Sequence, residues 1–167
     1  IQKVPAYEIE YFSNLPLSQL IANLGNRLFI EGKWQWAIEQ YKKYLQTTKD
    51  AVIYWRFSQC YRNLRQLDTY FSILEEGIKI YPTEPSLHFS LILELRYSGR
   101  KEEAIVSAEK ACELFPDDYT FHLLKHLTVP TIYNTPEEIQ FYRQRYIQGL
   151  ENLIQETTKR ELNKITN

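Results

Sequence analysis

Pro82 and Pro116 stand 34 residues apart, and each closes a short apolar run, Ile80-Tyr81-Pro82 and Leu114-Phe115-Pro116. A step of this length suits a helix–turn–helix unit that ends in proline. It predicts a stack of helix pairs in which each pair buries its apolar face against its neighbours. Stacks of this kind ordinarily work by binding rather than by chemistry.

Counting from the prolines brings out three copies in register. In the middle copy, which begins at Ala51, the marked positions are Tyr54, Phe57, Ser58, Tyr61, Tyr70, Leu74, Gly77 and Pro82. One step later stand His88, Leu91, Ile92, Leu95, Gly99, Ala104, Ala108, Ala111 and Pro116. An earlier copy carries Ile21, Leu24, Gly25, Leu28, Gly32, Ala37, Tyr41 and Tyr44, and ends one residue short with Lys49 in the proline place. These positions resemble the tetratricopeptide repeat: aromatic, large apolar, small and aromatic residues on one helix, then small residues and a closing proline on the next. The resemblance implies an all-α, right-handed superhelix of antiparallel helix pairs.

Local chemistry agrees. Leu17, Leu20, Ile21, Leu24 and Leu28 recur at three- and four-residue steps and predict one apolar helix face. Gly32 and Gly99 fall between paired helices, where a left-handed residue ends the first of them. Asp50 and Asp117 are placed to cap the helices that follow. Helices are expected at 18–31, 34–47, 51–64, 67–81, 85–98 and 101–114. Tyr70 stands where the repeat wants a small residue, which predicts a splayed or rotated second pair.

A fourth copy opens after Pro116 and is cut off by Val129-Pro130. Thr135, Pro136 and Glu138 then mark a new helix start with a capping box. The helix behind them carries Ile139, Tyr142, Tyr146, Leu150 and Leu153 as one stripe. Gly149 within it points to a close backbone contact. The expected organisation is an N-terminal extension over 1–17, with a short helix around Tyr7 to Phe12 covering that end. The array follows over 18–127 (18–50, 51–84, 85–118 and a partial 119–127), then a loop over 128–135. A long capping helix spans 136–160, and the polar stretch from Lys159 frays.

The totals limit function. The formal charge is −1 with both signs mixed along the chain, which argues against nucleic acid or an anionic membrane as partner. No apolar run approaches the roughly 20 residues that span a bilayer. Cys60 and Cys112 are too few for a disulfide scaffold and fit a reduced, cytoplasmic protein. The chain opens at Ile1 and contains no methionine, which suggests a piece of a longer protein.

In such arrays the first helix of each pair lines the concave surface, and the repeat positions that face it select candidate groove residues. They are Asn23 and Asn26, then Trp55, Arg56, Gln59 and Arg62, then Phe89, Leu93, Arg96 and Tyr97. Amides and guanidinium groups can hydrogen-bond an extended peptide, and the aromatics can anchor it. An ordinary solvated face accounts for the same residues. The carboxylate clamp of chaperone co-factors is not reproduced, because Ala22, Arg56, Ser86 and Ser90 replace its cationic and amide residues beside Asn26. An asparagine ladder is absent too: the row reads Asn23, Arg56, Ser90.

No phosphate loop, nucleophile elbow or zinc-protease motif occurs, so no catalytic residue, metal site or cofactor is expected in this chain. His122 and His126, four apart, have a chelating spacing but no acidic or cysteine companion in sequence, and packing explains them. Trp34 and Trp36 cannot share one helix side, so one is partly exposed, against the N-terminal segment or at a contact with another subunit or domain.

The stretch from Leu127 to Leu150 departs from the repeat. Its Pro130–Tyr133 loop and its helix of Glu137, Glu138, Ile139, Arg143 and Arg145 resemble the junction after the repeats in bacterial Spindly-type proteins, relatives of O-linked N-acetylglucosamine transferase. That resemblance implies a parent glycosyltransferase using a nucleotide sugar, with this chain as its peptide-recognition region. Two other readings stay open: a stand-alone adaptor, and a module that makes its parent a homodimer.

Overall fold

A computed structural model of the chain describes residues 15–130 and 132–166, with side chains as far as residue 158. The predicted short helix around Tyr7–Phe12 lies outside the described residues. Among the described residues there are eight helices and no strand. They are α1 (Leu17–Ile30), α2 (Trp34–Thr47), α3 (Ala51–Asn63), α4 (Leu67–Ile80), α5 (Pro85–Tyr97), α6 (Lys101–Leu114), α7 (Tyr119–Leu127) and α8 (Pro136–Thr166). The chain divides into two compact units, Ile1–Tyr81 and Pro82–Asn167.

The first unit holds α1 to α4. Its core is Ala22, Ala37, Ile38, Tyr41, Tyr44, Ile53 and Cys60. The leucine stripe predicted on α1 is buried only in part: Ile21 and Leu28 pack against the core, but Leu17 is 73% and Leu24 48% exposed, while Ala22 and Gly25 are buried. The reason is close approach. A Cβ on Gly25 would stand 2.8 Å from Tyr41 Cε1, so α2 lies against the small residues, and Leu17 and Leu24 stand aside. Tyr70 is fully buried and packs edge-on against Phe71, inside a pair whose helices α3 and α4 stay in contact.

The turn inside each pair repeats one hydrogen-bond pattern. Gly32 N–H donates to Phe29 O and Lys33 N–H to Leu28 O; Gly99 to Arg96 and Arg100 to Leu95 reproduce it. The two glycines have φ of +72° and +79°. In the second pair Arg65 takes the same role, donating to Arg62 O while Gln66 donates to Tyr61 O, at φ +59°. These are Schellman endings, and only Arg65 carries a side chain in the left-handed region.

Helix starts are capped less evenly. Asp50 accepts from Val52 and Ile53 N–H, as expected. The cap expected from Asp117 is made by Asp118, which accepts from Thr120 N–H at 2.9 Å, because α7 begins one residue later, at Tyr119. Glu84 caps α5 with Pro85 in the first turn.

The second unit packs α5 to α8 around Leu87, Ile92, Leu95, Ala104, Ala108, Ala111 and Phe121, with Phe115 stacked on Phe121 at 5.2 Å. Here α7 stops at Leu127 ahead of Val129-Pro130, and Thr128 is buried, its hydroxyl donating to Leu124 O. Thr135 then accepts from Glu138 N–H at 3.1 Å, and the Glu138 carboxylate accepts from Asn134 N–H at 2.7 Å. The helix so started runs to Thr166, past the expected fraying point at Lys159.

Candidate functional site

On the first helices of the pairs in the first unit, α1 and α3 bring the expected residues together through aromatic neighbours. Phe29 lies 6.4 Å from Trp55, ring centre to ring centre. Asn26 accepts the Tyr41 hydroxyl hydrogen at 3.0 Å, and the positive charge of Arg56 acts on that same hydroxyl. Asn26 is therefore already engaged inside the repeat. Asn23 accepts from the Gln19 amide at 3.1 Å. Trp55, Arg56 and Gln59 are half-buried, and Arg62 is exposed.

In the second unit α5 carries Phe89, Leu93, Arg96 and Tyr97. Leu93 and Arg96 are half-buried, Phe89 is exposed at its edge, and Tyr97 is 69% exposed. A shallow pocket beside Phe89 is bounded by Pro85, Ser86, Asp118 and Phe121. Of the two tryptophans on α2, Trp36 is 67% exposed and Trp34 packs edge-on against Phe29 at 5.3 Å.

Sequence reasoning missed most of what surrounds α8. The predicted stripe splits: Tyr142 and Leu153 are buried together with Gly149, whereas Ile139, Tyr146 and Leu150 are exposed. Two interactions rotate the helix. Arg145 donates to the carbonyls of Lys125 (2.5 Å), Thr128 (2.7 Å) and His126 (3.3 Å), groups that the end of α7 leaves without helical partners. Gly149 lets that end come close. The rotation leaves Leu150 and Ile154 of α8 beside Leu123 and Leu127 of α7 in an open apolar groove.

Other contacts tie α8 down. Lys101 pairs with Glu138 and lies 5.0 Å over the Tyr142 ring, while the Tyr142 hydroxyl reaches Glu102. The Glu138 hydrogen bond and ion pair raise the Lys101 ammonium and lower the Glu138 carboxyl. Tyr119 donates to Leu153 O at 2.9 Å and also contacts Thr157. His122 and His126 do have an acidic companion, Glu156, 30 or more positions away in sequence but facing both.

Burial pushes the Cys60 thiol up to about 12, so it is an inert core residue, and no cysteine among the described residues is bridged. Among the described residues no group of three or more His, Cys, Asp or Glu is arranged to hold a metal ion. None of the helices is long and apolar enough to cross a membrane.

No protein-family model matches the chain, and no curated protein matches it. Solved structures do. MamA covers 93% of this chain and 87% of its own length, with a TM-score of 0.66 and 16% identity. YrrB, described as a tetratricopeptide-repeat protein with an unusual peptide-binding site, covers 84% of this chain and 69% of its own length, with a TM-score of 0.60 and 13% identity. The first such domain of human RPAP3 covers 83% and 96%, with a TM-score of 0.53 and 18% identity. Identities this low speak to architecture alone, and the architecture is the all-α tetratricopeptide-repeat fold.

Proposed function

We propose that this chain is a protein-interaction scaffold whose first unit holds an extended, acidic peptide on α1 and α3. The observation that carries the reading is the line of Trp55, Arg56, Gln59 and Arg62 on α3, half-buried or exposed and bordered by Phe29. It offers an aromatic anchor, an amide and guanidinium donors on one rigid helix. Phe89, Arg96 and Tyr97 offer the same chemistry on α5. The peptide-binding site named for YrrB supports this assignment by analogy of fold. Isothermal titration with a panel of acidic decapeptides tests it. Arg56→Glu is expected to abolish binding; unchanged affinity removes α3 from the site.

The finer reading is that the scaffold recognises acceptors or regulators for a nucleotide-sugar-dependent glycosyltransferase in the bacterial cytoplasm. It rests on the sequence of the Pro130–Arg145 junction. Glu138 and Arg145 of that junction are engaged within the second unit, so packing accounts for them equally well. A nucleotide-sugar-binding domain encoded after Asn167 would support the transferase, and a stop codon there would leave the stand-alone adaptor. Homo-oligomerisation has an observation of its own: Ile139, Tyr146, Ile147, Leu150 and Ile154 are exposed on α8. Light scattering across a hundredfold concentration range decides it, with an unchanging monomer as the adverse result.

A further inference from the structure

One side of α8 is fixed to α7, and the side turned outward has a symmetry of its own. Gly149 seats on the His126 carbonyl and Arg145 binds the end of α7, so rolling the helix to bury its other face would break both contacts. On that other face Ile139, Tyr146, Ile147, Leu150 and Ile154 recur at helical spacing and are exposed. They form an apolar stripe about 22 Å long. Leu123 of α7 is exposed beside it and, with Leu127, walls the groove that runs along Leu150 and Ile154.

Two opposite charges stand at mirror positions on the same face. Arg143 lies four residues before Ile147 and Glu151 four residues after it, and both are exposed. Neither has an opposite charge three or four places away on its own helix. Arg143 has Ile139, Gln140, Tyr146 and Ile147 there, and Glu151 has Ile147, Gln148, Ile154 and Gln155. They stand about 12 Å apart along the axis, out of each other's reach. A second α8 laid antiparallel across Ile147 brings each Arg143 to the partner's Glu151, and sets Ile139 beside the partner's Ile154. A parallel pairing would set arginine on arginine and glutamate on glutamate. A purely apolar partner would leave both charges unmatched.

Resting on the homo-oligomerisation reading above, we propose that the outer face of α8 is a two-fold homodimer contact, its two copies antiparallel, crossing near Ile147 and held in register by reciprocal Arg143–Glu151 pairs. Such a contact is isologous: one patch serves both chains, and the assembly closes at two. The apolar stripe supplies the attraction, and the charges supply direction and register. A strip of this length, even widened by Leu123, is smaller than the roughly 800 Å² per partner of a standard complex, so the dimer is expected to dissociate in the micromolar range.

Sedimentation velocity of the intact chain between about 1 and 200 μM tests the pairing. The apparent mass should rise from one chain to two and no further. Arg143→Glu and Glu151→Arg each set like charges against each other and should weaken the dimer about tenfold or more. Both substitutions in one chain restore opposite charges across an antiparallel pair, and should return the affinity to within about threefold of the parent. An unchanging parent monomer overturns the proposal together with homo-oligomerisation, and assigns the stripe to a different chain. A dimer indifferent to the single reversals, or one that the double exchange does not rescue, overturns this pairing and leaves homo-oligomerisation to another surface. Both sites are exposed, so helical circular dichroism should be unchanged in the variants. If one fails to fold, hydrogen exchange of the parent carries the test: residues 143–151 should exchange more slowly in concentrated than in dilute solution, and equal exchange overturns the proposal.

Discussion

Gly149 of α8 lies against the carbonyl oxygen of His126 so closely that a Cβ there would stand 2.7 Å from that oxygen and 3.2 Å from its carbon. The end of one helix is seated on the bare backbone of the next. Arg145, one turn earlier on α8, closes the same end by binding three of its carbonyls.

Gly149→Ala is accordingly expected to destabilise the chain, although helix propensity alone would favour alanine by about 1 kcal/mol. The overlap is with backbone, which cannot rotate away, so a net loss of roughly 1–3 kcal/mol is expected. The midpoint of urea unfolding checks the sign, and an increase would mean that the seat can shift.

Arg145→Met keeps the length and apolar stem of the side chain but removes its donors. It leaves the Lys125, His126 and Thr128 carbonyls to find other partners in a partly buried place. A loss of about 2 kcal/mol is expected, read from the same unfolding curves. Arg145→Lys should recover only part of it, since one ammonium cannot reproduce the fork.

Arg65 stands in the left-handed turn position that Gly32 and Gly99 fill in the other two pairs. Arg65→Gly should therefore raise stability by roughly 1 kcal/mol. Gly99→Ala, at φ +79° with no heavy atom within 4 Å of the added carbon, should lower it by a similar amount through backbone strain alone. Opposite shifts in melting temperature for the two variants are the check.

His88 ties stability to pH through its burial. Burial lowers its folded-state value below the unfolded 6.5, so the unfolded chain binds more protons as the solution is acidified. Stability from this site is complete above the ordinary imidazole range and is lost as pH falls through and below it. The melting temperature should drop between pH 7.5 and 5.5, and His88→Gln should flatten that slope. A slope untouched by His88→Gln would assign the effect elsewhere.

The helices of the three pairs could be read closely from sequence because the signal for each is local. Proline, capping aspartate and turn glycine act within a few residues of the backbone they shape. Faces were harder. Leu17, Leu24, Ile139 and Leu150 have the period of a buried stripe and are exposed, because Gly25 and Gly149 decide which side of each helix a neighbour can approach. The Glu156 contact was out of reach for another reason: it joins residues 30 and more apart in a region that no longer repeats, so no period announces it. Arg65 escaped notice because turn glycines were the signal sought, and a backbone already held by its Schellman bonds tolerates a side chain.

One bond alters where the protein should be cut. By the 34-residue count Pro82 and Pro116 close the units that precede them, yet their carbonyls are bound by His88 and His122 of the helices that follow. Each proline is thus the first anchor of the next hairpin rather than the last residue of the previous one. A cassette excised for grafting or for shortening the array should begin at the proline, so that the hairpin leaves with its own histidine latch intact.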